Sequence, residues 1–457
     1  MIGVLYVFLS ACVAPSIDAA NSGRTTSYEP GVPNFDMEAI VQVDGGRPAV
    51  EVHYSFPLAS LVFVQSGDGY EAEYELAVRL LDRSTTTLVS ERSRTESLSV
   101  ASYDSTLSYR PHVGRLVVEA DPGNFVAEAV LTDRESGASA ERRQAVDVAD
   151  IGGGGPFVGR ILLEGTGRTG ALEPIVSLHL PARMDSLRAS IQLYNLIGRE
   201  EIELSMSLVR FGSDTTVASP PYWLAPQRGS LAYRGIDYED VDTIQVARRV
   251  LREASESAVV EFDLPRLERG LYRLGIAGRD ASGAQLVNRE RTFSVKIPTF
   301  PRMVHLDDLV ESLAYIAYDN EIDAIREGTS VADRKRRFDA FWGALVSERS
   351  VAANLIELYY GRIEEANLLF TSFKEGWMTD RGMIFTVLGP PLYVDRRLDM
   401  EIWYYSYGDR DPANTFVFER TRNSEDASFE NYILQRRPYY QNEWARAIDR
   451  WRGGEVL

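Results

Sequence analysis

Apolar residues run unbroken from Ile2 to Leu9 and the stretch ends near Val13. That is well short of the roughly 20 residues a membrane-spanning helix needs, so the pattern predicts the core of a secretory signal peptide over 1–11. From Val13 to Pro33 small and polar residues dominate, the composition of a solvated tether over 12–34. The pattern then turns to period two. Val50, Val52, Tyr54 and Phe56 alternate, as do Tyr70, Ala72, Tyr74, Leu76, Val78 and Leu80, with Glu71, Glu73, Glu75 and Arg79 on the opposite face. Such alternation marks half-buried antiparallel strands, and turn signals between short strands predict an immunoglobulin-like β-sandwich over 35–150.

The unit repeats with drift. Val52-x-Tyr54-x-Phe56-Pro57 is echoed by Val176-x-Leu178-x-Leu180-Pro181, and Glu73–Leu80 by Glu201–Leu208. Gly123-Asn124-Phe125 with Asp133 and Ser136-Gly137 matches Gly270-Leu271-Tyr272 with Asp280 and Ser282-Gly283. A second sandwich is therefore expected over 156–298, joined to the first by a hinge, Ile151-Gly152-Gly153-Gly154-Gly155-Pro156, that has too few side chains to pack. The stretch from Ser219 through Tyr222 and Trp223 to about Arg249 reads as a long loop, either a contact surface or folded back to cap the sandwich. Its acidic residues Asp237, Glu239, Asp240 and Asp242 lack the glycine-containing spacing of a calcium loop.

After Pro298 the period becomes 3.6. Leu306, Leu309, Val310, Leu313 and Ile316 share one helical face, Ser330 with Asp333 reads as a cap ahead of Phe338, Phe341, Trp342 and Leu345, and a third helix spans about 351–373. Gly376-Trp377-Met378-Thr379-Asp380-Arg381-Gly382 follows, then an apolar run from Met383 read as a strand, a Gly389-Pro390-Pro391 turn, and Glu401-Ile402-Trp403-Tyr404-Tyr405. Trp444, Ile448 and Trp451 at helical spacing predict a short amphipathic C-terminal helix that docks on the sheet or on a partner. An α+β domain is expected over 303–457.

On Gly376, Trp377, Thr379, Asp380, Arg381, Gly382, Gly389, Pro390, Glu401 and Trp403 the region of about 305–435 resembles the GWxTD domain family of bacterial envelope proteins. The resemblance implies an envelope location and no assigned activity. The motif residues themselves read as architectural: glycine at a helix exit, a large buried Trp, and Thr-Asp holding backbone amides in a turn. Arg381 is expected to pair with Asp380 or Glu401. A hydrolase site around Asp380, Arg381 and Glu401 is the alternative, and carbohydrate binding through Tyr222 and Trp223 a third reading.

Charge and composition narrow the function classes. Lys plus Arg against Asp plus Glu is 49 − 67 = −18, a field that repels polyphosphates, so no nucleic-acid partner is expected. Scattered His53, His112, His179 and His305 with one Cys show no metal-ligand spacing, and no phosphate loop, nucleophile elbow or dinucleotide fingerprint occurs, so no cofactor is expected. The sole cysteine follows Leu9-Ser10-Ala11 and this Leu9-Ser10-Ala11-Cys12 run resembles the lipobox of bacterial lipoproteins. That resemblance implies cleavage before Cys12 and acylation of Cys12; each buried methylene adds about 0.8 kcal/mol, so two or three chains anchor stably. Val13 in place of an acidic residue then favours the outer membrane. The alternatives are a buried Cys12 or cleavage near Ala20. Together these features predict a non-enzymatic, bilayer-anchored envelope lipoprotein that binds or scaffolds an envelope protein, peptide or glycan.

Overall fold

The computed structural model describes residues 16–17 and 31–456, except 45–46, 110, 149, 151–156, 167–169, 183, 185, 197–200, 224–234, 253–256, 347, 398, 409–410, 422–428 and 430. Leu9, Ser10, Ala11 and Cys12 and the 151–156 hinge lie outside the described residues. No described helix is long and apolar enough to cross a membrane.

Alternation becomes burial in the first sandwich. Along Gly69–Asp82, Ala72, Tyr74, Leu76, Val78 and Leu80 are buried and the residues between them face outward. This strand is central, paired with Leu88–Val100 on one side and Gly123–Asp133 on the other, and Ser139–Val148 completes the sheet beyond Gly123–Asp133. The facing sheet is Asp36–Asp44, Arg47–Pro57 and Pro111–Glu119, all antiparallel. Apolar faces of both sheets meet in one core.

The second sandwich repeats this topology. Glu201–Ser213 is central between Ile236–Arg252 and Gly270–Asp280, with Gln285–Lys296 next. The facing sheet pairs Phe157–Thr166, Leu187–Tyr194 and Ser257–Leu264. The Glu73–Leu80 and Glu201–Leu208 echo thus marks equivalent strands. So do the matched turns. Asp133 and Asp280 each accept backbone amides of the residues that follow, and Gly137 and Gly283 take φ of 72° and 83°, a conformation open to glycine.

The sequence pattern misled at four places. The counterpart of Arg47–Pro57 is Leu187–Tyr194, whereas the segment around Val176–Pro181 contributes only a short parallel strand, His179–Pro181, beside Gln285–Lys296. The supposed loop to Arg249 contains the 17-residue strand Ile236–Arg252, whose charged residues hid its alternation. In the tether, Ser16–Ile17 pairs in parallel with Arg289 and Glu290. Finally, the apolar run at Met383 is a helix, Asp380–Leu388, because Thr379 caps it and both its faces are covered, leaving no polar stripe to reveal the period.

The two sandwiches are also tied together beside the glycine run. Buried Glu38 of the first lies 3.5 Å from Arg160 and 3.6 Å from Arg291 of the second, and Arg160 donates to the Ala145 carbonyl. In the C-terminal region, helices Leu306–Glu311, Asp319–Arg326, Val331–Leu345 and Arg349–Phe370 precede Asp380–Leu388, the antiparallel sheet Tyr393–Arg397, Met400–Tyr404, Thr415–Arg420 and Tyr432–Leu434, and a last helix, Tyr440–Gly453. That last helix docks on its own domain. Trp444 and Trp451 are buried, and the Trp451 indole donates to the Val387 carbonyl at 2.8 Å.

Candidate functional site

The Gly-Trp-x-Thr-Asp segment sits where the long helix Arg349–Phe370 turns back on itself. Buried Asn367 near the helix end donates to the Pro301 carbonyl and accepts from the Trp377 amide, and the Thr371 hydroxyl accepts from the Gly376 amide at 2.8 Å. The chain therefore returns directly over the helix. A Cβ on Gly376 would lie 1.8 Å from the Ala366 carbonyl oxygen, and one on Gly382 would lie 1.9 Å from the Gly376 carbonyl oxygen. Glycine is required at both by backbone approach.

Each remaining motif residue then has a defined place. Trp377 is 2% exposed and packs edge-on against Tyr315, whose hydroxyl donates to the Trp377 carbonyl at 2.6 Å. The Thr379 hydroxyl donates to the Gly376 carbonyl and accepts from the Gly382 amide, capping the helix that starts at Asp380. Gly389, at φ 83°, ends that helix ahead of Pro390 and Pro391, and its carbonyl accepts from the Tyr405 hydroxyl.

Asp380 and Arg381 have different partners. The Asp380 carboxylate accepts from the Leu434 amide at 2.7 Å and forms a forked pair with Arg436 at 2.6 and 3.0 Å. Arg381 turns inward to Glu401 at 3.3 Å, with both side chains no more than 3% exposed. The guanidinium stacks 4.1 Å from the Tyr432 ring, and Glu401 also accepts from the Trp403 indole at 3.2 Å. Asp380, Arg381 and Glu401 therefore do not converge on one opening. Asp380 borders a cleft of about 80 Å³, whose lining includes neither Arg381 nor Glu401.

What borders that cleft on its other side is the second sandwich. Arg436 also donates to the Ser219 carbonyl at 2.9 Å, the Ala218 amide donates to the Met378 carbonyl at 3.1 Å, and Lys374 donates to the Thr216 carbonyl at 2.7 Å. Val217, Ala218 and Tyr222 pack onto the C-terminal core, while the neighbouring Trp223 is 56% exposed. The motif is thus the seat for segment 214–222 of the preceding domain. Sequence reasoning missed Arg436 and this docking. Arg436 lies in an Arg436-Arg437-Pro438 run with no patterning of its own, and 214–222 has neither period.

A second cleft, of about 640 Å³, opens along the same junction, lined by Arg210, Arg269, Lys296, Lys374, Glu375, Asp240 and Asp242 among others. Lys296, from the last strand of the second sandwich, is 1% exposed and donates to the Ser372 and Phe373 carbonyls at 2.8 and 2.9 Å, while Glu375 pairs with Arg269. Burial pushes the Lys296 amine down to about 7, against the attraction of Glu375. Below pH 7 the folded and unfolded states are both protonated there and the full cost of burying the charge is present. Between about 7 and 10.5 only the unfolded state binds the proton, so this lysine's contribution to stability rises with pH. Urea titrations at pH 6 and pH 9 are expected to show the junction firmer at pH 9, and Lys296→Met is expected to shrink that difference. Among the described residues no group of three or more His, Cys, Asp or Glu side chains is placed to hold a metal ion.

The geometry defines a protein of two tandem immunoglobulin-like sandwiches followed by an α+β domain built around its Gly-Trp-x-Thr-Asp turn. Residues 281–453 match the family described as GWxTD domain, so the chain carries a GWxTD domain over that stretch. The match begins before the helices and takes in Gln285–Lys296, the strand that carries Lys296. No curated protein matches the chain. Similar solved structures include red sea bream transglutaminase (10% identity, 57% of this chain and 31% of that one, TM-score 0.17). Others are the fibronectin(III)-like modules of Clostridium thermocellum CbhA (11%, 56% and 90%, 0.17) and E. coli alpha-2-macroglobulin (14%, 58% and 16%, 0.15). The chain spans about a third of the transglutaminase.

Proposed function

We propose that this protein is a lipid-anchored scaffold of the bacterial envelope, in which acylated Cys12 holds the chain on the bilayer and the fused second sandwich and GWxTD domain present one rigid body to another envelope protein. The observation that carries the scaffold half is the engagement of the motif side chains within the protein: Trp377 in the core, Thr379 on the helix end, Arg381 on Glu401, and Asp380 on Arg436, which in turn donates to the Ser219 carbonyl of the second sandwich. A rigid junction lowers the ordering cost of binding a partner, which favours recognition by a fixed surface. The anchoring half is supported by the Leu9-Ser10-Ala11-Cys12 sequence.

Expression in a bacterium that processes lipoproteins tests it. The wild-type chain is expected in the membrane fraction with mass added at Cys12, and Cys12→Ser is expected to move it to the soluble fraction. Unchanged partition of Cys12→Ser would contradict the anchoring. In-cell crosslinking followed by detergent extraction would then identify the envelope partner.

A further inference from the structure

The strand Ile236–Arg252 forms one edge of the larger sheet of the second sandwich, and among the described strands it pairs only with Glu201–Ser213. Exposed edges of this length are unusual, because unpaired backbone groups invite another strand and most edges are short, covered or blunted by charge. Here the charges are sorted. Asp237, Glu239, Asp240 and Asp242 occupy the first half, Arg248, Arg249 and Arg252 the second, and no opposite charge falls in either half. Val241, Val246 and Val250 are 47%, 63% and 45% exposed. The ladder shifts register between Leu208 and Val209, opposite Gln245 and Thr243, so that Ile244 marks the point between an acidic and a basic arm, and again between Phe211 and Gly212, opposite Val241 and Asp237, where Tyr238, Glu239 and Asp240 bulge out of the acidic arm.

We infer that this edge pairs antiparallel with the same edge of a second copy of the chain, about a twofold axis close to Ile244. An antiparallel pair lays the acidic arm of each copy along the basic arm of the other and brings the exposed valines of both copies to one seam. A parallel pair would set like charges together. The equivalent edge of the first sandwich, Leu88–Val100, differs in both respects. Its charges Glu91, Arg92, Arg94 and Glu96 are mixed, and Arg92 reaches the Val117 carbonyl of the facing sheet. The arginines of the second edge are held loosely: among the described residues Arg248 and Arg252, with side chains 74% and 78% exposed, form ion pairs with Glu203 and Glu201 at 3.3 and 3.8 Å, and surface pairs of this kind hold weakly.

The test is the mass in solution of the full chain carrying Cys12→Ser, followed by sedimentation velocity over the micromolar range. Asp237 is left intact because it holds the Glu239 and Asp240 amides, and Arg249 because it lies over Phe262. The parent chain is expected to be a dimer. Glu239→Arg with Asp242→Arg makes the edge wholly basic apart from two acids, and Arg248→Glu with Arg252→Glu makes it largely acidic. Each variant alone is expected to dimerise at least about tenfold more weakly, and mixing the two is expected to restore a dimer, which also shows that both are folded. A monomeric parent, a dimer undiminished in either variant, or no recovery on mixing would overturn the proposal. Binding of an extended peptide to a monomeric parent counts among the overturning results.

Discussion

Gly382→Ala is expected to unfold or severely loosen the C-terminal domain, at a cost of about 3 kcal/mol or more. The new methyl carbon would lie 1.9 Å from the Gly376 carbonyl oxygen and 2.9 Å from the Trp377 Cα, so the capping turn would have to part from the helix it starts. Gly376→Ala meets the Ala366 carbonyl in the same way. Gly343, inside the helix Val331–Leu345, has open space where its Cβ would go. Gly343→Ala is therefore expected to be neutral or to stabilise by up to about 1 kcal/mol, the ordinary helix preference for alanine. Denaturant unfolding followed by indole fluorescence separates the two, since Trp342, Trp377, Trp403, Trp444 and Trp451 all lie in this domain. Equal midpoints for Gly382→Ala and Gly343→Ala would contradict the close approach.

Breaking the interior ion pair is the other large effect. Arg381→Met leaves the Glu401 carboxylate with the Trp403 indole as its remaining described partner, at 2% exposure, and Glu401→Leu removes the counter-charge of a buried guanidinium that lies between the Phe370 and Tyr432 rings. Removing one member of a buried pair costs about 3–5 kcal/mol because the other is left without compensation. The combined Arg381→Met, Glu401→Leu chain is expected to recover a large part of that loss. Such recovery, read as a rise in the urea midpoint over either single change, is the mark of a structural pair. A double variant no more stable than the worse single one would contradict it.

The order of domains and the period-two strands were legible because one face of each sandwich sheet is wet, so Tyr74, Leu76 and Val78 alternate visibly with Glu73, Glu75 and Arg79. The Asp133 and Asp280 turns were legible because the side-chain chemistry of a turn is local. The helix Asp380–Leu388 was not. Met383, Ile384 and Phe385 are all covered, and a run buried on every side carries no period. The strand Ile236–Arg252 was hidden for the opposite reason, since an edge that is wet over most of its length has little apolar pattern to show. The Gly-Trp-x-Thr-Asp residues could be read from sequence as parts of a local turn, but their role as the seat of the preceding domain depends on Arg436 and Ser219, 217 positions apart, and pairing at that distance leaves no trace in a single sequence.

Amide hydrogen exchange across 214–222, in the wild-type chain and in Arg436→Met, tests most directly whether the motif holds the two domains as one body. If Asp380 and Arg436 fasten that segment, protection of the Ala218 amide falls by about tenfold or more in the variant, while the central strand Gly69–Asp82 of the first sandwich exchanges as before. Unchanged protection at Ala218, in a variant whose C-terminal domain is still folded, would contradict it.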